Sequence, residues 1–84
     1  MAKVVMYTKT ICPYCVRAKR LLDELGVSVV EKNVEDEPDG FAKLKARTGM
    51  LTVPQIFIDD QLIGGFQELS ALQANGKLDE MLRK

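Results

Sequence analysis

The sequence predicts an α/β domain: one mixed four-stranded sheet flanked by helices, with elements in the order β-α-β-α-β-β-α-α. Three observations lead there. A short β-forming run, Val4-Val5-Met6-Tyr7, gives way after Pro13 to helical spacing of apolar residues, and a second valine-rich run lies at Val27 to Val34. Two strands joined through a helix pair in parallel by a right-handed crossover. Further along, Gln55-Ile56-Phe57-Ile58 and Leu62-Ile63 flank Asp59-Asp60-Gln61, which suits an antiparallel hairpin.

The elements follow in order. Val4 to Tyr7 is a short apolar run of the kind buried strands show. Thr8-Lys9-Thr10-Ile11 connects it to a helix that opens at Pro13, where a missing N–H does no harm. Cys12 then stands at the N-cap edge and Cys15 one turn inside. Ala18, Leu22 and Leu25 follow Cys15 along one helix face. Arg17, Arg20, Asp23 and Glu24 lie off that face. Cys12 is therefore expected to be exposed and Cys15 half-hidden beneath it. Gly26 ends the helix as a C′ residue, and Val27 to Val34 form the second strand. Glu35-Asp36-Glu37-Pro38-Asp39 is expected to be a solvated loop that puts acids at a helix N-terminus. Phe41, Leu44 and Thr48 mark one face of a second helix closed by Gly49, with Lys43, Lys45 and Arg47 on its wet face. Met50 to Val53 leads to Pro54, which opens the third strand without losing a ladder hydrogen bond. The aspartates of the hairpin turn tolerate a left-handed backbone. Leu62 to Gly65 form the fourth strand, ended by two glycines. A third helix starts at Phe66-Gln67-Glu68, faces Leu69 and Leu72 inward and stops at Asn75-Gly76. Leu78, Met81 and Leu82 give a last short helix.

The only two cysteines form the motif Cys12-Pro13-Tyr14-Cys15, in a chain with no histidine. Three chemistries compete for them. Two residues three apart can meet disulfide geometry, but the loop closed is so small that a staple there stabilises by only about 2 kcal/mol. Zinc asks for four ligands, usually two such pairs or added histidines, and this chain alone has neither. Thiol–disulfide exchange needs no further ligand. A CxxC between a strand and a helix in a short α/β chain favours that last chemistry. Gly64-Gly65 before a helix is the second feature that asks for a reason. Glycines let a backbone approach a ligand closely, and a helix N-terminus offers N–H groups to an anion. A tight turn with no ligand is the alternative.

Composition narrows the classes. At 84 residues, with 46% hydrophobic and 29% charged residues, the chain suits one soluble domain spanning residues 1–84. Its formal net charge is zero, where a nucleic-acid module carries a basic excess. No apolar run reaches membrane-spanning length, and Lys3 leads directly into strand-like residues rather than a signal-peptide core. A cytoplasmic location and a monomer are expected. In that compartment a paired cysteine is more often catalytic than structural.

Taken together, Tyr7-Thr8-Lys9, Cys12-Pro13-Tyr14-Cys15, Thr52-Val53-Pro54 and Gly64-Gly65 resemble the glutaredoxin family in its dithiol form, as found in short bacterial members. The likeness runs over the whole chain. It implies a thioredoxin fold, a cis bond before Pro54, and glutathione as the reducing co-substrate, with no metal. Cys12 is implied as the nucleophile and Cys15 as its resolving partner. Glutathione is implied to lie against Lys9, Tyr14, Thr52, Val53, Pro54, Gly65, Phe66 and Gln67. In this scheme Val53 offers its backbone to the central cysteine of the tripeptide, the helix start at Phe66-Gln67 holds the γ-glutamyl carboxylate, Lys9 meets the glycine carboxylate, and Tyr14 walls the groove. The other substrates implied are proteins carrying disulfides or attached glutathione.

The chain departs from the family pattern in two places. Gln67 and Glu68 replace a pair of aspartates many members carry after the glycines, and Leu51 stands where many have Arg or Gln. Both changes predict weaker glutathione binding, with Arg47 the candidate to compensate for Leu51. Two other readings remain at this stage: a redoxin fed by thioredoxin reductase, and a glutathione-bridged iron–sulfur carrier built from two copies of Cys12. Pro13 stiffens the loop against the second.

Overall fold

A computed structural model describes residues 2–83, so the outermost residues of the expected 1–84 domain lie outside the described part. Its elements are β1 (Val4–Thr8), α1 (Pro13–Glu24), β2 (Val29–Asn33), a 3-10 turn (Val34–Asp36), α2 (Gly40–Thr48), β3 (Gln55–Ile58), β4 (Gln61–Gly64), α3 (Phe66–Ala74) and α4 (Lys77–Leu82). The sheet runs in the order β2-β1-β3-β4. β1 and β2 pair in parallel, with Val4 opposite Val29 and Thr8 opposite Asn33. β3 is antiparallel to both β1 and β4. This is the mixed four-stranded sheet that the sequence predicts.

Alternation along the strands sorts the core into two layers, because successive side chains of a strand point to opposite faces. Val4 and Met6 of β1 join Ile56 and Ile58 of β3 on one face. There they meet Ala18 and Leu22 of α1, Leu69 of α3, and Leu78 and Leu82 of α4. On the other face Val5 and Phe57 pack with Val34 and with Leu44 of α2. Three helices thus cover one side and one covers the other. The C-terminal ends of β1 and the N-terminal ends of α1 and β3 meet at one edge of the molecule, where both cysteines lie.

Several boundaries differ from expectation, each for a local reason. The second strand is shorter than Val27 to Val34. Val27 is buried in the loop, its N–H donating to the Leu22 carbonyl (3.1 Å). At the other end the Asn33 side chain accepts from the Glu35 N–H (2.8 Å), which turns the chain into the 3-10 turn. Pro54 precedes the third strand rather than opening it, in a cis peptide bond with Val53. The hairpin turn is Asp59-Asp60, both at positive φ (49° and 67°), so Gln61 already belongs to β4. Gly65 lies outside β4 as the N-cap of α3.

Candidate functional site

Cys12 caps α1. Its backbone is extended, and its sulfur accepts a hydrogen bond from the Cys15 N–H at 3.2 Å. Pro13 follows in the first turn, as its missing donor allows. Cys12 and Cys15 are joined in a disulfide, with Cα atoms 5.2 Å apart. Cys12 Sγ also lies 3.7 Å from the Val53 carbonyl oxygen. The expected contrast in exposure is therefore corrected for this oxidised state. Cys12 is 8% exposed and Cys15 5%. The Cys12 sulfur is bonded to Cys15, and the Val53 carbonyl oxygen lies against it. Asymmetry survives in position: Cys12 is at the helix edge, while Cys15 heads the buried row Cys15, Ala18, Leu22.

The other expected site residues fall into two groups. The first gathers around Val53 and the start of α3. The Tyr14 ring is exposed, with Arg17 stacked on it at 5.2 Å and the Phe66 ring 6.0 Å away. Thr52 is exposed, Val53 half-buried and Pro54 buried. Gly65 is half-buried, and a Cβ built on it would come within 3.3 Å of the Pro54 carbonyl oxygen. That close approach explains why a glycine stands there, and it joins the Val53-Pro54 segment to the helix start. The first helical bond of α3 runs from the Leu69 N–H to the Gly65 carbonyl, which leaves the N–H groups of Phe66, Gln67 and Glu68 without intrahelical acceptors. Gln67 is exposed. Lys9 is exposed and lines a cavity together with Cys12 and Cys15.

Glu68 and Arg47 have roles other than those expected. Glu68 folds back, and its carboxylate accepts from the Gly65 N–H at 2.7 Å. It is a cap for its own helix, and it brings negative charge to the helix start that an incoming carboxylate would use. Arg47, the candidate to compensate for Leu51, is engaged with other partners in this structure. Its Nη1 donates to the Tyr7 hydroxyl (3.3 Å), its guanidinium sits 4.9 Å over the Phe57 ring, and it lines a separate cavity beside α2. Leu51 is 77% exposed.

Three supports went unseen in the sequence. Gln55 is fully buried, and its Nε2 donates to the carbonyls of Thr52 (3.0 Å) and Met50 (3.4 Å). The two carbonyls decide which way the amide points, and they tie the segment before Pro54 to β3. Glu35 reaches back across the sheet edge, its carboxylate accepting from the Thr10 N–H at 2.6 Å. The Thr10 hydroxyl accepts from Asn33 Nδ2 at 3.2 Å. The acidic loop is thus not merely solvated: one of its residues steadies the loop that carries Lys9. Hydrogen bonding from the Thr10 side chain and backbone, with Lys9 nearby, holds the Glu35 carboxyl below its ordinary value. An acidic run gives no hint that one member is engaged, and a lone glutamine in a strand gives none at all.

The geometry so far is a redox-capable disulfide at a helix N-cap, facing a carbonyl that precedes a cis-proline. A glutaredoxin family model matches residues 4–63, which takes in the disulfide and the Val53-Pro54 segment. The chain belongs to the glutaredoxin family. Glutaredoxin 3 of Escherichia coli is 49% identical over 83 residues, covering 99% of this chain and 100% of that protein. A glutaredoxin of Neisseria meningitidis is 45% identical over 83 residues, 98% of each chain. Among solved structures, a buckwheat glutaredoxin in complex with glutathione superposes with a TM-score of 0.89 at 38% identity, over 96% of this chain and 76% of that one. The solution structure of a Brucella melitensis glutaredoxin superposes at 0.87 with 42% identity, over 99% and 90%. The thioredoxin fold is therefore that of this glutaredoxin chain as well. No helix among the described residues is long and apolar enough to cross a membrane.

Proposed function

We infer that this glutaredoxin is a glutathione-dependent thiol–disulfide oxidoreductase working through Cys12 and Cys15, with glutathione as its reducing co-substrate. The observation that carries the reading is the sulfur of Cys12 as the N-cap acceptor of α1. The N–H that now bonds a disulfide sulfur would bond a thiolate more strongly, since charge-assisted hydrogen bonds are the stronger kind. Helix N-termini lower cysteine pKa values to about 3.5–7.5. The macrodipole alone accounts for less than about one unit of such a shift, so the direct N–H···S bond is the larger part. At neutral pH an unperturbed thiol is already about 3% ionised, so ionisation by itself gains at most about thirtyfold. The rest comes from Cys12 as a good leaving group and from glutathione held in line with it.

The cycle has two branches. In the first, the Cys12 thiolate attacks the glutathione sulfur of a glutathionylated protein. The protein thiolate leaves and takes a proton, and a second glutathione releases the one on Cys12 as glutathione disulfide. In the second, Cys12 attacks a protein disulfide. Cys15 then attacks Cys12, frees the second protein thiol, and leaves the Cys12–Cys15 bond seen here for two glutathiones to reduce.

Glutathione would lie in the groove between Tyr14 and the Thr52-Val53-Pro54 segment. Its γ-glutamyl carboxylate would meet the free N–H groups at Phe66 and Gln67 beside Gly65, and its glycine carboxylate would meet Lys9. The carboxylate of Glu68 at that helix start, and Leu51 at the groove mouth, both favour modest affinity. Zero net charge argues against a nucleic-acid partner. The redox chemistry fits a monomer in the cytoplasm, where glutathione is kept reduced and paired cysteines are catalytic.

The test is an assay coupled to glutathione reductase, run on two substrates. Cys12→Ser removes both branches. Cys15→Ser keeps removal of glutathione from a glutathionylated peptide and loses reduction of a protein disulfide. Coupling to thioredoxin reductase in place of glutathione overturns the reading. Amide shifts at Phe66 and Gln67 on titrating glutathione into Cys15→Ser protein locate the binding site, and silence there removes it.

A further inference from the structure

The dithiol branch leaves one group unexplained: the proton of Cys15. Cys15 heads a buried helix face and is only 5% exposed, and it must give up its proton before it can act as a nucleophile. Beside the cysteines is a solvent-open cavity of about 350 Å³. Cys15, Thr8 and Glu31 all line it. The register explains their meeting. Val4, Met6 and Thr8 point to the same face of β1, the face covered by Leu22, Ala18 and Cys15 of α1. Glu31 pairs with Met6 across the parallel β1–β2 ladder and stands two residues after Val29, which packs on that same layer. The Thr8 side chain, on a residue only 2% exposed, donates to Glu31 Oε2 at 3.3 Å, and Glu31 itself is open to solvent.

We propose that this cavity is the proton exit of Cys15, with Glu31 acting through the Thr8 hydroxyl as the residue that positions and accepts that proton. When Cys15 Sγ attacks Cys12 Sγ of the mixed disulfide, the Cys12–Cys15 bond forms. The bond from Cys12 to the substrate sulfur breaks, and the electron pair leaves on that sulfur. The Cys15 proton passes to the Thr8 oxygen as the Thr8 proton passes to the Glu31 carboxylate. When glutathione later reduces the Cys12–Cys15 bond, the same path returns a proton to Cys15. The other charged groups around the cavity are Lys9 from the β1–α1 loop and Lys19, Arg20 and Asp23 from α1. Lys19 is engaged with Asp23 at 2.7 Å, while the Glu31 carboxylate accepts from the Thr8 hydroxyl.

The proposal rests on Cys15 as the resolving cysteine, and the test separates the two claims. Reduction of a disulfide-bonded peptide is measured against pH for wild type, Glu31→Gln, Thr8→Val, Thr8→Ser and Cys15→Ser. Removal of glutathione from a glutathionylated peptide, a reaction that omits Cys15, is the reference. Glu31→Gln and Thr8→Val are expected to lower disulfide reduction relative to the reference by about a hundredfold at neutral pH. That deficit closes as the medium becomes alkaline and the thiol ionises unaided. Thr8→Ser, which keeps the hydroxyl, restores the wild-type ratio. An unchanged ratio in Glu31→Gln, or a deficit independent of pH, overturns the relay. If Cys15→Ser itself reduces the disulfide-bonded peptide, the resolving role falls first.

Discussion

Glu35 shows how one side chain outside the redox motif shapes the site. Its carboxylate clamps the Thr10 backbone N–H at 2.6 Å, next to Lys9 and two residues before Cys12. Because its pKa in the folded protein is depressed from the ordinary 4.5, the charged form is the one that folding favours. A depressed folded pKa contributes stability above the unfolded value and loses it as pH falls through the folded one. Wild type should therefore lose stability on acidification below about 4.5. Glu35→Gln should be less stable than wild type at neutral pH, with the gap narrowing in acid. Thermal midpoints of the two proteins across that range check this, and a gap that widens in acid would refute it. Gln55 works the opposite way. It carries no charge to lose, and its buried amide holds the Met50 and Thr52 carbonyls at any pH.

At the scale of elements, the start of α3 is the most constrained junction. Gly64 has φ +126°, a conformation L side chains rarely adopt. A Cβ there would lie 2.7 Å from Glu68 Oε1 and 2.8 Å from Glu68 Cγ. The two glycines thus serve different ends: Gly64 makes room for the Glu68 cap, and Gly65 lets the helix start approach the Pro54 carbonyl. Gly64→Ala should cost about 1–3 kcal/mol from backbone strain alone, and it should push the Glu68 carboxylate off the Gly65 N–H. Urea unfolding measures the first effect. The second would appear as loss of amide-exchange protection at Gly65. A variant as stable as wild type would mean that the junction relaxes without strain. At the other end of the sheet, Asp59-Asp60 makes a turn with two left-handed residues and no glycine, anchored where Asp59 Oδ1 accepts from the Lys3 N–H at 2.9 Å.

The whole molecule is small, and its C-terminal helix is not a spare part. For 84 residues the expected stability is about 4–13 kcal/mol. Leu78 and Leu82 of α4 are buried in the larger core layer with Val4, Met6 and Leu69, and the Ala2 N–H closes on the Leu82 carbonyl at 3.0 Å. Leu78→Ala should cost about 2–5 kcal/mol, a large share of the total, and should lower the denaturation midpoint without changing the reactivity of Cys12 in the folded protein. A loss under about 0.5 kcal/mol, as at surface sites, would show that α4 is only loosely docked. The site itself depends on this core, since α1 holds Cys12 in place only while Ala18 and Leu22 stay packed against β1.

What the amino-acid order determined by itself is local. Apolar spacing marked nearly every element, Pro13 and Cys12 marked the start of α1, and paired glycines marked the start of α3. Each of these signals acts within a few residues along the chain, through backbone preference or one face of a helix. The tertiary structure decided what lies between distant segments. It sent Arg47 to Tyr7, 40 residues away, rather than to the groove, and Glu35 to Thr10, 25 residues away. It hid Gln55 under the approach to Pro54, and it set Thr8 and Glu31 in one cavity with Cys15. Such meetings depend on strand order and register. Those are chosen by the burial of the core as a whole, which no short stretch of the chain contains.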